Sequence, residues 1–580
     1  MQRVLQIHRR LPPLAIALRE TLREGYGGRE LRADLLAGVS VGIIAVPLAL
    51  ALAIASGVPP QHGLYTAIVA GLLIALAGGS RFNVSGPTAA FVVILQPIAA
   101  QHGVGGLLLA TFMAGVMLVA MGWGRAGQLI QFIPYPVTTG FTAGIAVVIA
   151  SLQLSDFLGL PAAGSSHFVE RMLALLRVLP EINPAEAALG SGVLLLLTLW
   201  PRLGTRVPAY LAGAVVAAAA AYGARSLWPD CGIVTIADRF AYSVDGVIHA
   251  GIPAMLPAVH WPWQLPGADG TPMHLDFDLL RSLLGPAFAI AMLGAIESLL
   301  CAVVADGMTG RKHDPDAELV AQGLGNIAAP LFGGIPATGA LARTAANVRA
   351  GARSPLASVF HALFVLAAML LLAPVLSWLP MSGLAALLLM VAWNMSERHN
   401  VLRILRVAPR GDVLLLVVCF GLTVFFDMVI AVGFGVVLAS LFFMHRMSRV
   451  AMVTLVGDGD PHAPRDLPEE VRYYRIAGPL FFGAAERAMA ALRRHDHGVR
   501  ALVLDLSAVP TIDATGLVAL EELLDELHEA GVFVALCGAQ RSVLGLLREG
   551  GYTRQAGARW YFASADAAVR WWQRGRAANS

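Results

Sequence analysis

Charged side chains are scarce in this chain of 580 residues, since Asp, Glu, Lys and Arg together make up only 14%. Soluble globular chains carry about 25% charged and about 45–50% apolar residues. Here the apolar share is 57% and the mean hydropathy is +0.69. The shortage of charge therefore excludes a soluble or disordered protein and indicates an integral membrane protein. A formal net charge of only +3 gives nucleic-acid binding no support.

Cysteine is also rare, and its placement is uninformative for metal chemistry. The four cysteines, Cys231, Cys301, Cys419 and Cys537, lie far apart and form no CxxC pair or His/Cys cluster. A disulfide framework or a structural zinc site is therefore not expected. We predict no metal and no cofactor. The sequence also contains no recognisable nucleophile–base constellation, so we do not expect an enzyme.

Long apolar runs are what the sequence has instead. A membrane-spanning helix needs about 20 apolar residues. The pattern predicts fourteen segments, near 35–56, 62–79, 87–101, 104–122, 136–155, 188–200, 207–223, 284–305, 317–332, 337–348, 355–377, 381–395, 411–426 and 428–445. An even number places both termini on one side of the membrane. The arginines concentrate in alternate loops, which predicts that this side is the cytoplasm. The segment 224–281 then lies outside, as a loop or a cap.

Two of these segments, 87–101 and 337–348, are too short to cross a membrane alone. Each begins with Gly and Pro, and Pro87 and Pro336 occupy corresponding positions in two halves of seven segments. A helix that starts inside the membrane leaves its first N–H groups unpaired and carries partial positive charge there. Paired interrupted helices therefore predict a transporter with an anion site at the midplane. The alternative is that Gly and Pro merely kink two ordinary helices.

Glu297 lies well inside an apolar predicted segment and Arg343 lies in the second short one, where charge is costly and usually functional. We predict that Arg343 adds positive charge beside the anion site and that Glu297 is a proton-coupling carboxylate. The alternatives are snorkelling for Arg343 and a structural ion pair for Glu297. Cys301, one turn after Glu297, is a poor ligand for sodium, which favours proton over sodium coupling. The charge run at 306–318 is expected to be a solvated cytoplasmic loop.

The composition changes near residue 447. We predict a cytoplasmic N-terminal segment at 1–30, a transmembrane transport domain at 31–447, a linker at 448–470 and a small α/β domain at 471–580. In LDLSAVPTIDATG a strand, a loop and a helix start follow one another. The functional interpretation of this pattern is an anion or nucleotide contact, or phosphorylation of Thr515, which makes Thr515 a candidate phosphorylation or regulatory site. The alternative is plain capping of the helix by Asp513 or Thr515.

Long motifs give the chain a specific resemblance over roughly residues 30–575. They are SGVPPQHGLYTAIVAGLLIALAGGSRFNVSGPTAAF, LGAIESLLCAVVADGMTGRKHDPDAELVAQGLGNI, GGIPATGALARTAANVRAGARSP and LDLSAVPTIDATG. The chain resembles the sulfate permease (SulP) family, equivalent to solute carrier family twenty-six, and the last motif resembles a STAS domain. The resemblance implies an all-α polytopic membrane domain of 14 segments in a 7+7 inverted repeat. Core and gate domains and a homodimer are implied too, with a small α/β cytoplasmic STAS domain.

The resemblance also implies which residues hold the anion. The family places it between the two half-helix starts, which here are Thr88, Ala89, Ala340 and Ala342, contributing mainly backbone N–H groups, with Arg343 beside them. On the first helix this chain has Leu48 and Leu52 where many members have Gln and an aromatic residue. These two leucines are therefore predicted to line a substrate site suited to a larger organic anion.

Five further runs carry a finer resemblance: GIIAVPLALALAIASGVPPQ, SGPTAAFVVILQPIA, MLGAIESLLCAVVADGMTG, LLLMVAWNMSE and GPLFFGAAE. Through them the chain resembles, within the family, bacterial C4-dicarboxylic acid transporters of the DauA type. That likeness implies proton-coupled uptake of succinate, fumarate and aspartate across the bacterial inner membrane, and a cytoplasmic partner for the STAS domain. One alternative is a transporter of an inorganic anion: sulfate, bicarbonate or chloride. A second, of another class, is a membrane-anchored STAS signalling scaffold.

Overall fold

The computed structural model describes residues 14–130, 134–161, 167–205, 207–244, 246–426, 428–448, 452–455, 464, 467–481, 483–492, 498–550 and 561–577. The chain forms two compact units, Met1–Val436 and Val437–Ser580. In the described part, seven helices are long and apolar enough to cross a membrane, and shorter apolar helices accompany them. The predicted domain limits at 31–447 and 471–580 stay predictions.

The first half of the membrane unit contains nine helices among its described residues. They are α1 Ile16–Glu24, α2 Gly28–Ala55, α3 Gln61–Ala77, α4 Ala89–Trp123, α5 Gly127–Ile130, α6 Tyr135–Leu158, α7 Phe168–Val178, α8 Pro184–Leu199 and α9 Ala209–Leu227, with strand β1 Ser85–Gly86 before α4. Helix α4 is interrupted at Gly103, whose φ of 69° breaks the helical path. It therefore comprises two of the predicted segments, the short one and the one after it.

The second half repeats this order. After α10 Ile236–Arg239 and the hairpin β2 Ala241–Val244 and β3 Val247–Ala250 come α11 Phe277–Thr309, α12 Pro315–Leu331, β4 Thr338–Gly339, α13 Leu341–Arg349, α14 Leu356–Leu376, α15 Met381–Met395, α16 Arg398–Val407, α17 Arg410–Phe425 and α18 Met428–Ser448. In each half a short amphipathic helix, α7 or α16, separates the fifth segment from the sixth. The predicted polytopic helical architecture is confirmed, and its helices follow the predicted seven-plus-seven order.

The helices pack into two groups. Helices α2, α3, α4, α11, α12 and α14 pack most extensively with one another, and we call them the core group. Helices α6, α8, α9, α15 and α17 form the gate group. The segment 228–276 touches both groups at one end of the bundle: the Gly105 N–H donates to Pro266 O at 2.9 Å, and the Ile236 N–H donates to Leu379 O at 3.0 Å. It is therefore a cap.

The N-terminal helix α1 is fixed to the opposite end of the core group. The Ala15 N–H donates to Ala77 O at 2.7 Å. The Arg81 guanidinium donates to both carboxylate oxygens of Glu24, at 2.7 and 2.6 Å, and Arg311 adds a contact of 2.8 Å. These hydrogen bonds, Arg81 first, lower the pKa of Glu24 to about 2. Because the shift is downward, its contribution to docking is complete above the ordinary pKa and is lost as the pH falls towards 2.

Glu24→Gln should loosen α1 at neutral pH. The amide keeps the size of the side chain but loses the charge that two arginines contact. We expect hydrogen exchange of the Ile16–Glu24 amides to become about two- to fivefold faster, because exposed ion pairs contribute little each. Glu20→Gln is the matched control, since Glu20 makes one contact of 3.2 Å with Arg81 and should change exchange less. Unchanged hydrogen exchange in Glu24→Gln would contradict the prediction that the charge of Glu24 holds α1 in place.

The C-terminal unit contains the end of α18 and a small α/β domain. Its strands are β5 Met452–Leu455, β6 Val471–Ala477, β7 Ala501–Ala508, β8 Phe533–Cys537 and β9 Tyr561–Phe562, and its helices are α19 Gly483–Leu492, α20 Ala514–Glu529, α21 Arg541–Glu549 and α22 Ala565–Ala577. The sheet order is β5-β6-β7-β8-β9, with β5 antiparallel to β6 and the other pairs parallel. Helices α19, α20 and α21 bury apolar residues on one sheet face, and α22 covers the other.

Candidate functional site

The two broken helices begin side by side because the strands before them pair. β1 runs antiparallel to β4, with Ser85 opposite Gly339 and Gly86 opposite Thr338. All four residues are buried. The two predicted breaks are therefore one structural feature, in which each half of the chain contributes one strand and one helix start. This arrangement disfavours the alternative of two independent kinks.

Neither of the two helix starts is closed by a side-chain cap. Thr88 precedes α4 and Ala340 precedes α13, and neither side chain caps its helix. The first-turn N–H groups, including those of Ala89 and Ala342, therefore keep the partial positive charge of an uncapped helix start. One predicted donor is already used, because the Ala340 N–H donates to Val84 O at 3.0 Å. The Ala340 N–H is therefore bonded to the protein itself.

Arg343 joins the two halves at this point. It is the third residue of α13, is only 6% exposed, and its Nη2 donates to Pro87 O at 2.5 Å. Gly86 leaves the space that the guanidinium needs, since its Nη1 lies 2.7 Å from where a Cβ at Gly86 would be. The side chain therefore reaches from one helix start to the other. Snorkelling to the membrane surface does not describe this position.

Glu297 lies at the same place. It is half-buried on α11, and its Oε2 accepts a hydrogen bond from Thr88 Oγ1 at 3.0 Å. The Thr88 hydroxyl therefore serves Glu297 instead of capping α4. One positive and one negative side chain thus adjoin the helix starts. An ionised Glu297 offsets the attraction of Arg343 for an anion, and a protonated Glu297 does not.

The residues that follow Glu297 face strand β4. The hydroxyls of Ser298 and Thr338 lie 2.7 Å apart, and Cys301 Sγ donates to Gly339 O at 3.1 Å. These side chains attach α11 to the strand. A thiol that donates to a main-chain carbonyl is not an oxygen ligand for a hard cation.

The remaining predicted residues differ in accessibility. Leu48 is half-buried and Ala342 is exposed, whereas Leu52 and Thr88 are buried. The described site thus has both an accessible part and a buried part. Leu48 and Leu52 lie one turn apart on α2, and both side chains are apolar.

Glu318 is the main correction to the sequence interpretation. The prediction placed it in a solvated charge run, but it is 1% exposed in the first turn of α12. Its carboxylate accepts hydrogen bonds from the loop that leads into β1, including the N–H groups of Gly79 and Ser80. A sequence signal did exist: Gln322 and Asn326 follow at four-residue spacing and form a polar stripe on an apolar helix.

Thr515 lies in the first turn of α20, where its side chain is exposed. The helix is capped by Asp513, whose Oδ1 accepts from the Gly516 N–H at 2.7 Å. Of the two predicted capping residues, Asp513 is therefore the one that caps α20. The Thr515 hydroxyl remains at the surface.

Comparison with known proteins identifies two regions. The model of the sulfate permease family matches residues 31–419, and the model of the STAS domain matches residues 465–568. YvdB of Bacillus subtilis (strain 168), provisionally named a sulfate transporter, is 38% identical over 548 residues, which cover 94% of this chain and 98% of YvdB.

Two solved structures are similar to this chain. The transmembrane domain of the cyanobacterial bicarbonate transporter BicA matches with a TM-score of 0.60 and 29% identity, covering 70% of this chain and 98% of that one. The overall structure of SLC26A9 matches with a TM-score of 0.81, covering 98% of this chain and 94% of that one. At 19% identity this second likeness shows the fold alone.

Proposed function

We propose a coupling ion and a substrate class for this chain, which belongs to the sulfate permease family and is a multi-pass membrane transporter of anions. Its relatives are named as transporters and not as enzymes. The proposal is that the chain is a secondary active importer that takes up C4-dicarboxylates together with protons. Succinate, fumarate and aspartate are the first candidates. Movement of the core group against the gate group would expose the site alternately to the two sides.

The contact between Glu297 and Thr88 carries the proposal of proton coupling. It places a carboxylate at the start of α4, on the same site as Arg343. An anion that approaches an ionised Glu297 meets a like charge, and protonation of Glu297 removes that repulsion. Binding of the anion and of the proton therefore favour each other. This reciprocity is what a symporter requires.

The apolar residues of α2 support the dicarboxylate class. Leu48 and Leu52 offer hydrocarbon surface, which suits the methylene or vinyl carbons of a C4 acid better than a fully hydrated inorganic ion. The second candidate is an inorganic anion. It is favoured by the names of the relatives, which refer to sulfate for YvdB and to bicarbonate for BicA. Sodium coupling is disfavoured by the Cys301 thiol.

Four further expectations belong to the same proposal. The protein would lie in a bacterial inner membrane with both termini in the cytoplasm, and it would form a homodimer. The STAS domain would bind a cytoplasmic partner. Thr515, exposed in the first turn of α20, would be a phosphorylation or regulatory site, because a phosphate there would meet the positive end of the helix.

Uptake of labelled succinate into proteoliposomes tests the proposal. The vesicles carry an inward proton gradient, contain no sodium, and are offered sulfate or bicarbonate as competitors. We expect accumulation of succinate that collapses when a protonophore removes the gradient and that neither competitor suppresses. Empty vesicles and a reversed gradient are the controls.

The alternative outcomes are distinct. Uptake of sulfate or bicarbonate without uptake of succinate would replace the substrate class and keep the site. Succinate uptake that ignores the proton gradient would refute the coupling. Failure to transport any anion, with partner binding by the STAS domain retained, would support the scaffold alternative.

A further inference from the structure

We infer that Glu318 is a positioning residue for the anion site: its carboxylate fixes the 79–85 loop so that the helix starts, Arg343 and Glu297 keep their mutual geometry. In the described chain, the hydrogen bonds of the Glu318 carboxylate go to Gly79, Ser80, Asn83 and Gln322, and none goes to a predicted anion-binding residue. The inference requires the anion site, but it holds for whichever anion that site takes.

Four donors meet at this buried carboxylate. Oε2 accepts from the N–H groups of Gly79 and Ser80, at 3.2 and 3.1 Å. Oε1 accepts from Asn83 Nδ2 at 2.9 Å and from Gln322 Nε2 at 3.1 Å. A buried charge is tolerated when hydrogen bonds satisfy its oxygens. Here the bonds come from one short loop and from the helix that carries Glu318, so the loop cannot shift without losing them.

Two of these donors continue to the site. Asn83 Nδ2 also donates to the main-chain oxygen of Ser298 at 3.2 Å, which is the residue after Glu297. Gln322 Nε2 also donates to Ser85 Oγ at 2.9 Å, and Ser85 is the first residue of β1. The Glu318 side chain is therefore linked through Asn83 to the helix that carries Glu297. Through Gln322 it is linked to strand β1, which precedes α4.

The loop is also tied to the helix that carries Arg343. The Val84 N–H donates to the hydroxyl of Thr344 at 3.1 Å, and Val84 O accepts from the Ala340 N–H. Arg343 then reaches Pro87 O, two residues beyond Ser85. A displacement of the 79–85 loop would therefore alter the Arg343–Pro87 and Thr88–Glu297 contacts together.

Glu318→Gln is the direct test. The amide replaces one acceptor oxygen by an NH₂ group that faces existing donors, so the loop must move. We expect KM for the transported anion to rise about tenfold, with Vmax changed less than KM, because hydrogen bonds to a charged group are the stronger ones. The pH profile of uptake should also shift, since the contact between Thr88 and Glu297 changes.

Asp314→Asn is the matched control. It removes a carboxylate from the N-cap of the same helix, where Oδ1 accepts from the Asp316 and Ala317 N–H groups, and asparagine is an equally good cap. We expect its KM and pH profile to equal those of the unmodified protein. A Glu318→Gln protein that folds and keeps both KM and pH profile would overturn the inference.

Gln322→Met keeps the inference testable if Glu318→Gln does not fold. It removes only the bridge from Glu318 to Ser85 and preserves side-chain volume. The Oε1 of Gln322 has no hydrogen-bond partner in the described chain. Methionine therefore breaks no hydrogen bond at that atom. We expect a rise in KM smaller than that of Glu318→Gln, with the melting temperature retained. An unchanged KM in this variant would also overturn the inference.

Discussion

Arg343→Ala should weaken anion binding by about 30-fold or more, because removing a buried charged partner costs about 2–5 kcal/mol. The guanidinium is buried between two helix starts, and Pro87 O loses its donor at the same time. The anion would then face uncapped helix starts with Glu297 still beside them. Calorimetric titration of the detergent-solubilised protein with succinate, or with whichever anion uptake identifies, measures the change.

Arg349→Ala is the control on the same helix. Arg349 is exposed in the last turn of α13, and its Nε donates to Ala345 O within that helix. Its removal also lowers the net charge by one but leaves the helix start intact, so affinity should stay within about twofold. Equal affinities of the Arg343→Ala and unmodified proteins would exclude Arg343 from the site.

Glu297→Gln should abolish accumulation driven by a proton gradient. Glutamine has nearly the same shape and still offers an oxygen to Thr88 Oγ1, so the fold and the anion site should persist. It has no titratable proton, however, so a gradient has nothing to act on. We expect concentrative uptake to fall at least about tenfold, to the level set by the anion gradient alone, while exchange of internal for external anion continues.

The pH profile separates coupling from simple damage. The unmodified protein should take up anion faster as the external medium is made more acidic, whereas Glu297→Gln should give a flat profile. Asp278→Asn, at an exposed position in the first turn of the same helix, should keep the profile of the unmodified protein. A profile that Glu297→Gln leaves unchanged would remove this residue from the coupling mechanism.

The architecture is largely predictable from the sequence because it obeys local rules. Each membrane segment is recognised by length and apolarity, and the two short ones by the Gly and Pro residues that precede them. The position of Arg343 in the first turn of a broken helix is also readable from the sequence. The interruption of α4 at Gly103 falls between two predicted segments, 87–101 and 104–122.

What the sequence does not reveal depends on contacts between distant residues. Glu318 stands among residues typical of a solvated loop, and its burial is explained by donors about 235 residues earlier in the chain. The Ala340 N–H is engaged by Val84 for a similar reason, since the pairing of β1 with β4 brings the two together. Local composition carries no information about either partner.

The pairing of β1 with β4 has a consequence for how the protein is made. The two strands are separated by more than 250 residues, with Ser85 opposite Gly339. At about 5–20 residues per second, a ribosome needs roughly 12 to 50 s to add the second strand after the first. For that interval the first broken helix is in the membrane without its partner strand and with an open N-terminal end. The nascent chain must therefore keep water or another polar group at that end until its second half arrives, and this interval is when a membrane chaperone would be most needed.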